Sequence, residues 1–171
     1  MKRSIKVISI VSAALIILVI IGIVRLILST PHFVMDGPSM EPAIHTGQSL
    51  VLKPYKANDL HKRGDIVVYK STNKLVQQYS KSGRLIHRII ALPGERITIS
   101  DNKVLVYNAL HPDGFNPDTD YISTGIATVG TIDQTLGQNM YFVMGDNRPN
   151  ALDSRAIGPI PFKDILGTVQ R

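Results

Sequence analysis

Apolar and polar residues are unevenly spread along the chain, and the first 30 positions differ in kind from the rest. Residues 7–24 run for 18 positions without a charge. Wound as a helix, at about 1.5 Å per residue, they would extend about 27 Å, close to the hydrocarbon thickness of a bilayer. The run continues to residue 28, with Arg25 near enough to its end to snorkel. A cleavable secretory leader shares the basic start and the apolar run, but this run exceeds the usual length. Residues 28–32 also offer no A-x-A-like cleavage site. The pattern predicts an uncleaved transmembrane helix, with residues 1–30 forming a cytoplasmic tip and anchor. Lys2, Arg3 and Lys6 outnumber Arg25, so the N-terminus is expected in the cytoplasm and residues 31–171 outside the cell membrane.

After residue 30 the pattern changes to short runs rich in Val, Ile, Leu and Tyr. They fall at 49–52, 65–69, 85–92, 96–99, 104–107 and 140–144, separated by turn formers such as Arg63-Gly64-Asp65, Pro93-Gly94 and Asp101-Asn102. This predicts a mostly β domain over 31–171, with no amphipathic helix of twelve residues. Two stretches fit a core badly. Residues 71–83 are polar and read as an exposed hairpin or loop. Residues 108–139, rich in Asp, Thr, Gly and Pro, read as an insertion, a small β subdomain with Tyr121 and Ile122 as its few anchors. Phe33, Val34 and Met35 either dip into the membrane interface or form a first core strand.

Composition narrows the chemistry. The 171 residues suffice for one soluble domain beyond the anchor. There is no cysteine, so disulfides and thiolate catalysis are excluded. The net charge of +6 loses its apparent meaning once Lys2, Arg3, Lys6 and Arg25 are assigned to the anchor. The remaining 15 basic residues face 13 acidic ones, too small an excess to imply a nucleic-acid partner. Among the five histidines no pair has metal-ligand spacing, so no metal is expected. His45 and His61 sit in turn-like sequence and read as solvated, and His32 and His111 sit beside prolines.

Three places could carry chemistry. In Asp36-Gly37-Pro38-Ser39-Met40-Glu41-Pro42 a serine lies in a turn that two prolines stiffen, which suits an exposed nucleophile as well as an ordinary Gly-Pro turn. A serine needs a base, and His87 is the leading one. Within the strand-like run 85–91, alternation puts it on one face with Leu85 and Ile89, and Arg88 on the other. A histidine there is either a base or a structural group bonded to a carbonyl. Lys81 is the nearby lysine in reserve. Residues 145–158 crowd Asp146, Arg148, Asp153, Ser154 and Arg155 together, as a solvated loop or as a network that holds a site in place.

Taken together, these segments resemble the type I signal peptidases, in particular Gram-positive-like bacterial members. Residues 37–42 resemble the nucleophile box, 63–68 the next, 87–95 the base box and 145–158 the last, in the family's order behind an N-terminal apolar span. The resemblance implies a largely β catalytic domain with a small inserted region, and a serine endopeptidase that needs neither cofactor nor metal. It implies removal of signal peptides from secretory precursors after small residues at −1 and −3. By motif position Ser39 would be the nucleophile and Met40 a wall of the substrate pocket. Arg88 would pair with Asp146, and Asp153 with Arg155, as bracing, and Ser154 would be structural.

Two departures stand out. Bacterial members usually carry lysine where this chain has His87, and histidine there is similar to the endoplasmic-reticulum type. Ala151 stands where many members have a serine that orients the lysine. The two changes are consistent, since a lysine near 10.4 must be driven down to act, whereas a histidine near 6.5 is already largely neutral at pH 7. A histidine base predicts a rise in kcat/KM across about pH 6–7. The other reading of the substitution is an inactive relative that binds signal peptides at the membrane without cutting them. The Ser39 N–H would supply one oxyanion donor. The second is unassigned, because Pro38 has no N–H and Gly37 no hydroxyl.

Overall fold

The runs of Val, Ile, Leu and Tyr fold as strands because branched and aromatic side chains pack well on a pleated surface. The computed structural model describes residues 13, 15–25, 32–54, 60–118, 122 and 126–170. The strands are, in chain order, β1 (His32–Val34), β2 (Ser49–Pro54), β3 (Ile66–Lys70), β4 (Arg84–Ala91), β5 (Arg96–Ser100), β6 (Lys103–Asn108), β7 (His111–Phe115), β8 (Ile132–Thr135), β9 (Met140–Met144), β10 (Ile160–Pro161) and β11 (Ile165–Val169). A seven-stranded sheet has the order β1-β2-β11-β3-β4-β9-β10, and a four-stranded sheet the order β7-β6-β5-β8. The fold is mostly β, as the alternation predicts.

The chain divides into two units, Met1–His32 and Phe33–Arg171. In the first, residues 13 and 15–25 are helical and exposed. Among the described residues no helix is long and apolar enough to cross a membrane. Residues 1–12, 14 and 26–30 of the expected anchor lie outside the described residues.

In the second unit, β4 is the strand on which the site depends. It pairs antiparallel with β3 on one side and β9 on the other. Residues 86–91 are all buried, so this strand reads as an almost continuous apolar run rather than an alternating one. Val67, Tyr69 and Ile89 pack on one face of the sheet with Val143, while Ile66, Val68 and Ile86 pack on the other with Met35, Met40 and Leu50. Ile90, Phe142 and Met144 continue into a third cluster with Ile97, Ile99 and Val106, which joins the two sheets. His87 and Arg88 interrupt the apolar run while each is only 1% exposed. Buried polar groups of that kind must find partners, and theirs lie at the site.

Two expectations are corrected, the loop at residues 71–83 and the solvated His61. Residues 71–83 hold a short helix, α1 (Lys74–Tyr79), capped by Asn73, whose side chain accepts from the Leu75 N–H at 2.9 Å. Its single buried residue, Val76, is too little to show an amphipathic stripe in the sequence. His61 is buried rather than solvated, with its ring against Tyr141 and Phe162. Of the three apolar residues after the anchor, Met35 is core, Phe33 packs partly against the same cluster, and Val34 stays exposed. Segment 108–139 supplies β7 and β8, the two edges of the smaller sheet. Tyr121, an expected anchor of that segment, lies outside the described residues.

Candidate active site

The turn that carries Ser39 is fixed by hydrogen bonds at both of its first carbonyls. Pro38 O accepts from Glu41 N at 3.1 Å and from Asn147 Nδ2 at 3.1 Å, and Ser39 O accepts from Asn147 N at 3.0 Å. Met40 does not line the cavity beside Ser39, as the resemblance implied. Its side chain is wholly buried with Met35, Ile44 and Leu50, and so it pins the turn from the core side. Gly37, at φ +90°, adopts a backbone conformation that a side chain would strain, so a serine hydroxyl has no easy place there.

Gly145 is required by close approach. A Cβ on it would stand 2.5 Å from Ser39 O and 2.4 Å from the Ala151 Cβ. Gly145→Ala must therefore push the Ser39 turn or the 145–152 loop outward. We expect it to lower stability by about 1–3 kcal/mol and kcat by roughly 10²-fold, read by denaturant unfolding and steady-state cleavage.

Ser39 and His87 line one cavity of about 550 Å³, together with Phe33, Leu85, Ile86, Asn150, Ala151 and Leu152. The cavity opens where β4 outruns its neighbour, since the pairing of β4 with β9 begins at Arg88 and leaves residues 84–87 unpaired on that side. Ser39 and His87 line the same cavity, and no hydrogen bond joins them. Lys81 lies in an exposed turn and is not among the lining residues.

The imidazole of His87 is held from behind. Its Nδ1 lies 2.9 Å from the Tyr69 phenol oxygen. Nε2 has no hydrogen-bond partner among the described residues and is not wholly occluded. The nitrogen of His87 left open is therefore Nε2. Burial lowers the pKa of His87 to about 4, against the opposing pull of Asp153 and Asp146 and with the help of Arg155. This moves the expected titration well below pH 6–7, because desolvation of the ring outweighs its acidic neighbours.

The last box is a bracing network. Arg88 Nε donates to Asp146 Oδ1 at 2.8 Å, and Arg88 Nη1 to Gly64 O at 2.9 Å. Asp153 caps the short helix α2 (Ser154–Ile157), accepting from Arg155 N at 3.1 Å and from Arg155 Nε at 2.8 Å, while its Oδ2 accepts from Gly145 N at 3.1 Å. The Ser154 hydroxyl is buried and accepts from Val143 N at 3.0 Å. Three members are given no role of their own by the sequence. Arg148, with a side chain 0% exposed, donates to Asp118 and to Thr128 Oγ1 at 2.6 Å, tying segment 108–139 to this loop. Arg63 forks onto Glu95 at 2.6 and 2.7 Å. Tyr69 is the third. The density of arginines and acids in the sequence was a signal for the first two, and nothing in the sequence singled out the tyrosine. Among the described residues no group of His, Asp and Glu could hold a metal ion.

Residues 7–171 match the family described as signal peptidase, peptidase S26. The chain is 32% identical over 171 residues to a signal peptidase I of Bacillus licheniformis, covering 94% of this chain and 84% of the relative. It is 31% identical over 172 residues to signal peptidase I U of Bacillus subtilis (strain 168), covering 98% and 87%. A crystal structure of a signal peptidase I from Enterococcus faecalis V583 is similar with a TM-score of 0.49 at 23% identity, over 66% of this chain and 98% of that one.

Proposed function

The chain belongs to the signal peptidase family, peptidase S26, a family of serine endopeptidases, and on that premise we propose that it removes N-terminal signal peptides from secretory precursors with Ser39 as nucleophile and His87 as general base. The observation that supports this most is the shared cavity, where Ser39 meets a histidine whose Nε2 is open and whose ring is neutral above about pH 4. Ser39 Oγ attacks the scissile carbonyl as its proton passes to Nε2, and the imidazolium then gives that proton to the departing amine. The Ser39 N–H has no acceptor among the described residues and is free to serve the oxyanion. Beyond Arg84, whose carbonyl and N–H are engaged by Ser80 Oγ and Ser82 Oγ, the edge of β4 that β9 leaves unpaired offers backbone groups to an extended peptide, and the apolar walls at Phe33, Leu85, Ile86 and Leu152 suit small side chains at −1 and −3.

The same proposal includes the membrane. Residues 1–30 serve as cytoplasmic tip and anchor, residues 31–171 as the extracytoplasmic peptidase domain, and 108–139 as an insertion in it. Eleven residues from position 28 to Ser39 span at most about 36–40 Å, which keeps the serine near the outer leaflet where signal peptides lie.

The test uses the full-length chain in vesicles with a precursor carrying alanine at −1 and −3. Cleavage after the −1 residue is the expected result. A protein that retains the precursor but does not cut it at any pH from about 4 to 10 is the membrane-held binding protein instead. The pH profile adds a prediction. His87 must be neutral to accept a proton, so kcat/KM is expected to fall as pH drops through about 4 and to be level above about 5. A rise centred near 6–7 or later would show that the base titrates in water or is a lysine.

A further inference from the structure

In the antiparallel pair of β3 and β4, Tyr69 stands opposite Leu85 and Val67 opposite His87. Tyr69 and His87 are therefore diagonal neighbours on one face, a spacing that long side chains bridge. Tyr69 is 0% exposed, its phenol oxygen is 2.9 Å from His87 Nδ1, and the rings lie 5.9 Å apart. In a serine–histidine–aspartate arrangement a carboxylate holds this nitrogen. Here the carboxylate that acts most strongly on the ring is already committed: both oxygens of Asp153 accept from Arg155, and Oδ2 also from Gly145 N. The phenol takes the position instead.

The hydrogen positions follow from what a base must do. For Nε2 to receive the serine proton, the ring hydrogen must sit on Nδ1 and point at the phenol oxygen. After the transfer the imidazolium carries hydrogen on both nitrogens, and Nδ1–H still donates to the same oxygen. The phenol O–H bond stays intact throughout, since burial and then the charge of Asp153 hold its pKa well above 10. Four charged or titratable groups bear on the ring: Tyr69, Asp153, Asp146 and Arg155. Asp153 acts most strongly of the charges.

We propose that Tyr69 is a positioning residue for the general base, accepting a hydrogen bond from Nδ1–H and so fixing both the tautomer and the rotation of His87 with its Nε2 lone pair toward Ser39. This rests on the reading of His87 as the base.

The test is ¹⁵N NMR of the full-length, histidine-labelled chain near pH 7, with the His87 signal identified by its loss in His87→Gln. The wild type is expected to show the Nδ1–H tautomer. Tyr69→Phe is expected to shift it toward Nε2–H and to lower kcat by roughly 10–100-fold with KM little changed. An Nε2–H tautomer in the wild type overturns the proposal, as does a kcat unaffected by Tyr69→Phe. Should that variant unfold, the wild-type tautomer alone decides. Cleavage surviving His87→Gln at the wild-type rate would overturn the base assignment itself, whatever the tautomer.

Discussion

Ser39→Ala is expected to remove cleavage almost entirely, with kcat down roughly 10⁶-fold, the scale seen when a serine protease loses its nucleophile. The argument rests on which hydroxyls are free. Two serines line the cavity, Ser39 and Ser80. The Ser80 hydroxyl is engaged with Ser82 Oγ at 3.2 Å and with Arg84 O at 3.2 Å, whereas Ser39 Oγ has no such engagement among the described residues. Ser80→Ala should therefore cut at close to the wild-type rate. His87→Ala is expected to lower kcat by roughly 10²–10⁴-fold and to erase the fall in rate near pH 4, since no other histidine lines the cavity. Nucleophile and base act as a unit, so Ser39→Ala and His87→Ala combined should cost no more than Ser39→Ala alone. Single-turnover cleavage of a precursor with alanine at −1 and −3 measures all four variants. Comparable rates for Ser39→Ala and wild type would move the nucleophile elsewhere in the cavity.

The site was legible where its residues break a local pattern. Pro38 and Pro42 mark the Ser39 turn as rigid, and His87 and Arg88 stand out as polar residues inside an apolar run. Tyr69 could not be found that way, because a tyrosine in a strand is ordinary. Its role depends on a register that sets Val67, not Tyr69, opposite His87. The same distinction runs through the fold. β5, β6 and β9 match their predicted runs to within a residue at each end, since their alternation is buried on at least one face. β7 (His-Pro-Asp-Gly-Phe) and β8 (Ile-Asp-Gln-Thr) form the edges of the smaller sheet and are mostly exposed, so no apolar alternation advertises them. β11 is harder to explain from composition, because it lies in the middle of the larger sheet between β2 and β3. A register shift between Ile165 and Gly167 interrupts its period of two. Gly167 is needed there because a Cβ would come within 2.7 Å of Lys53 O.

The Arg88–Asp146 pair should prove the most costly contact to break outside the reacting groups. Its side chains are 2% and 1% exposed, so removing either partner takes from a buried charge the opposite charge it is paired with. Arg88→Ala and Asp146→Ala are each expected to lose about 3–5 kcal/mol, a large share of the roughly 5–15 kcal/mol that holds a domain together. Denaturant unfolding would read this as a lower midpoint at unchanged slope. Stability and catalysis then separate in the double variant Arg88→Met/Asp146→Leu. Replacing a buried ion pair with apolar groups of similar size is often neutral, so folding should recover. Activity should not, because Asp146 adjoins Asn147, which carries both hydrogen bonds to the Ser39 turn. Arg88, for its part, adjoins His87 and also ties down Gly64. With the link between β4 and that loop gone, nucleophile and base are no longer held in one frame, and a shift of about 1 Å between them is enough to lower kcat by roughly 10²-fold. Full recovery of both stability and kcat in the double variant would reduce the pair to a packing element with no part in aligning Ser39 and His87.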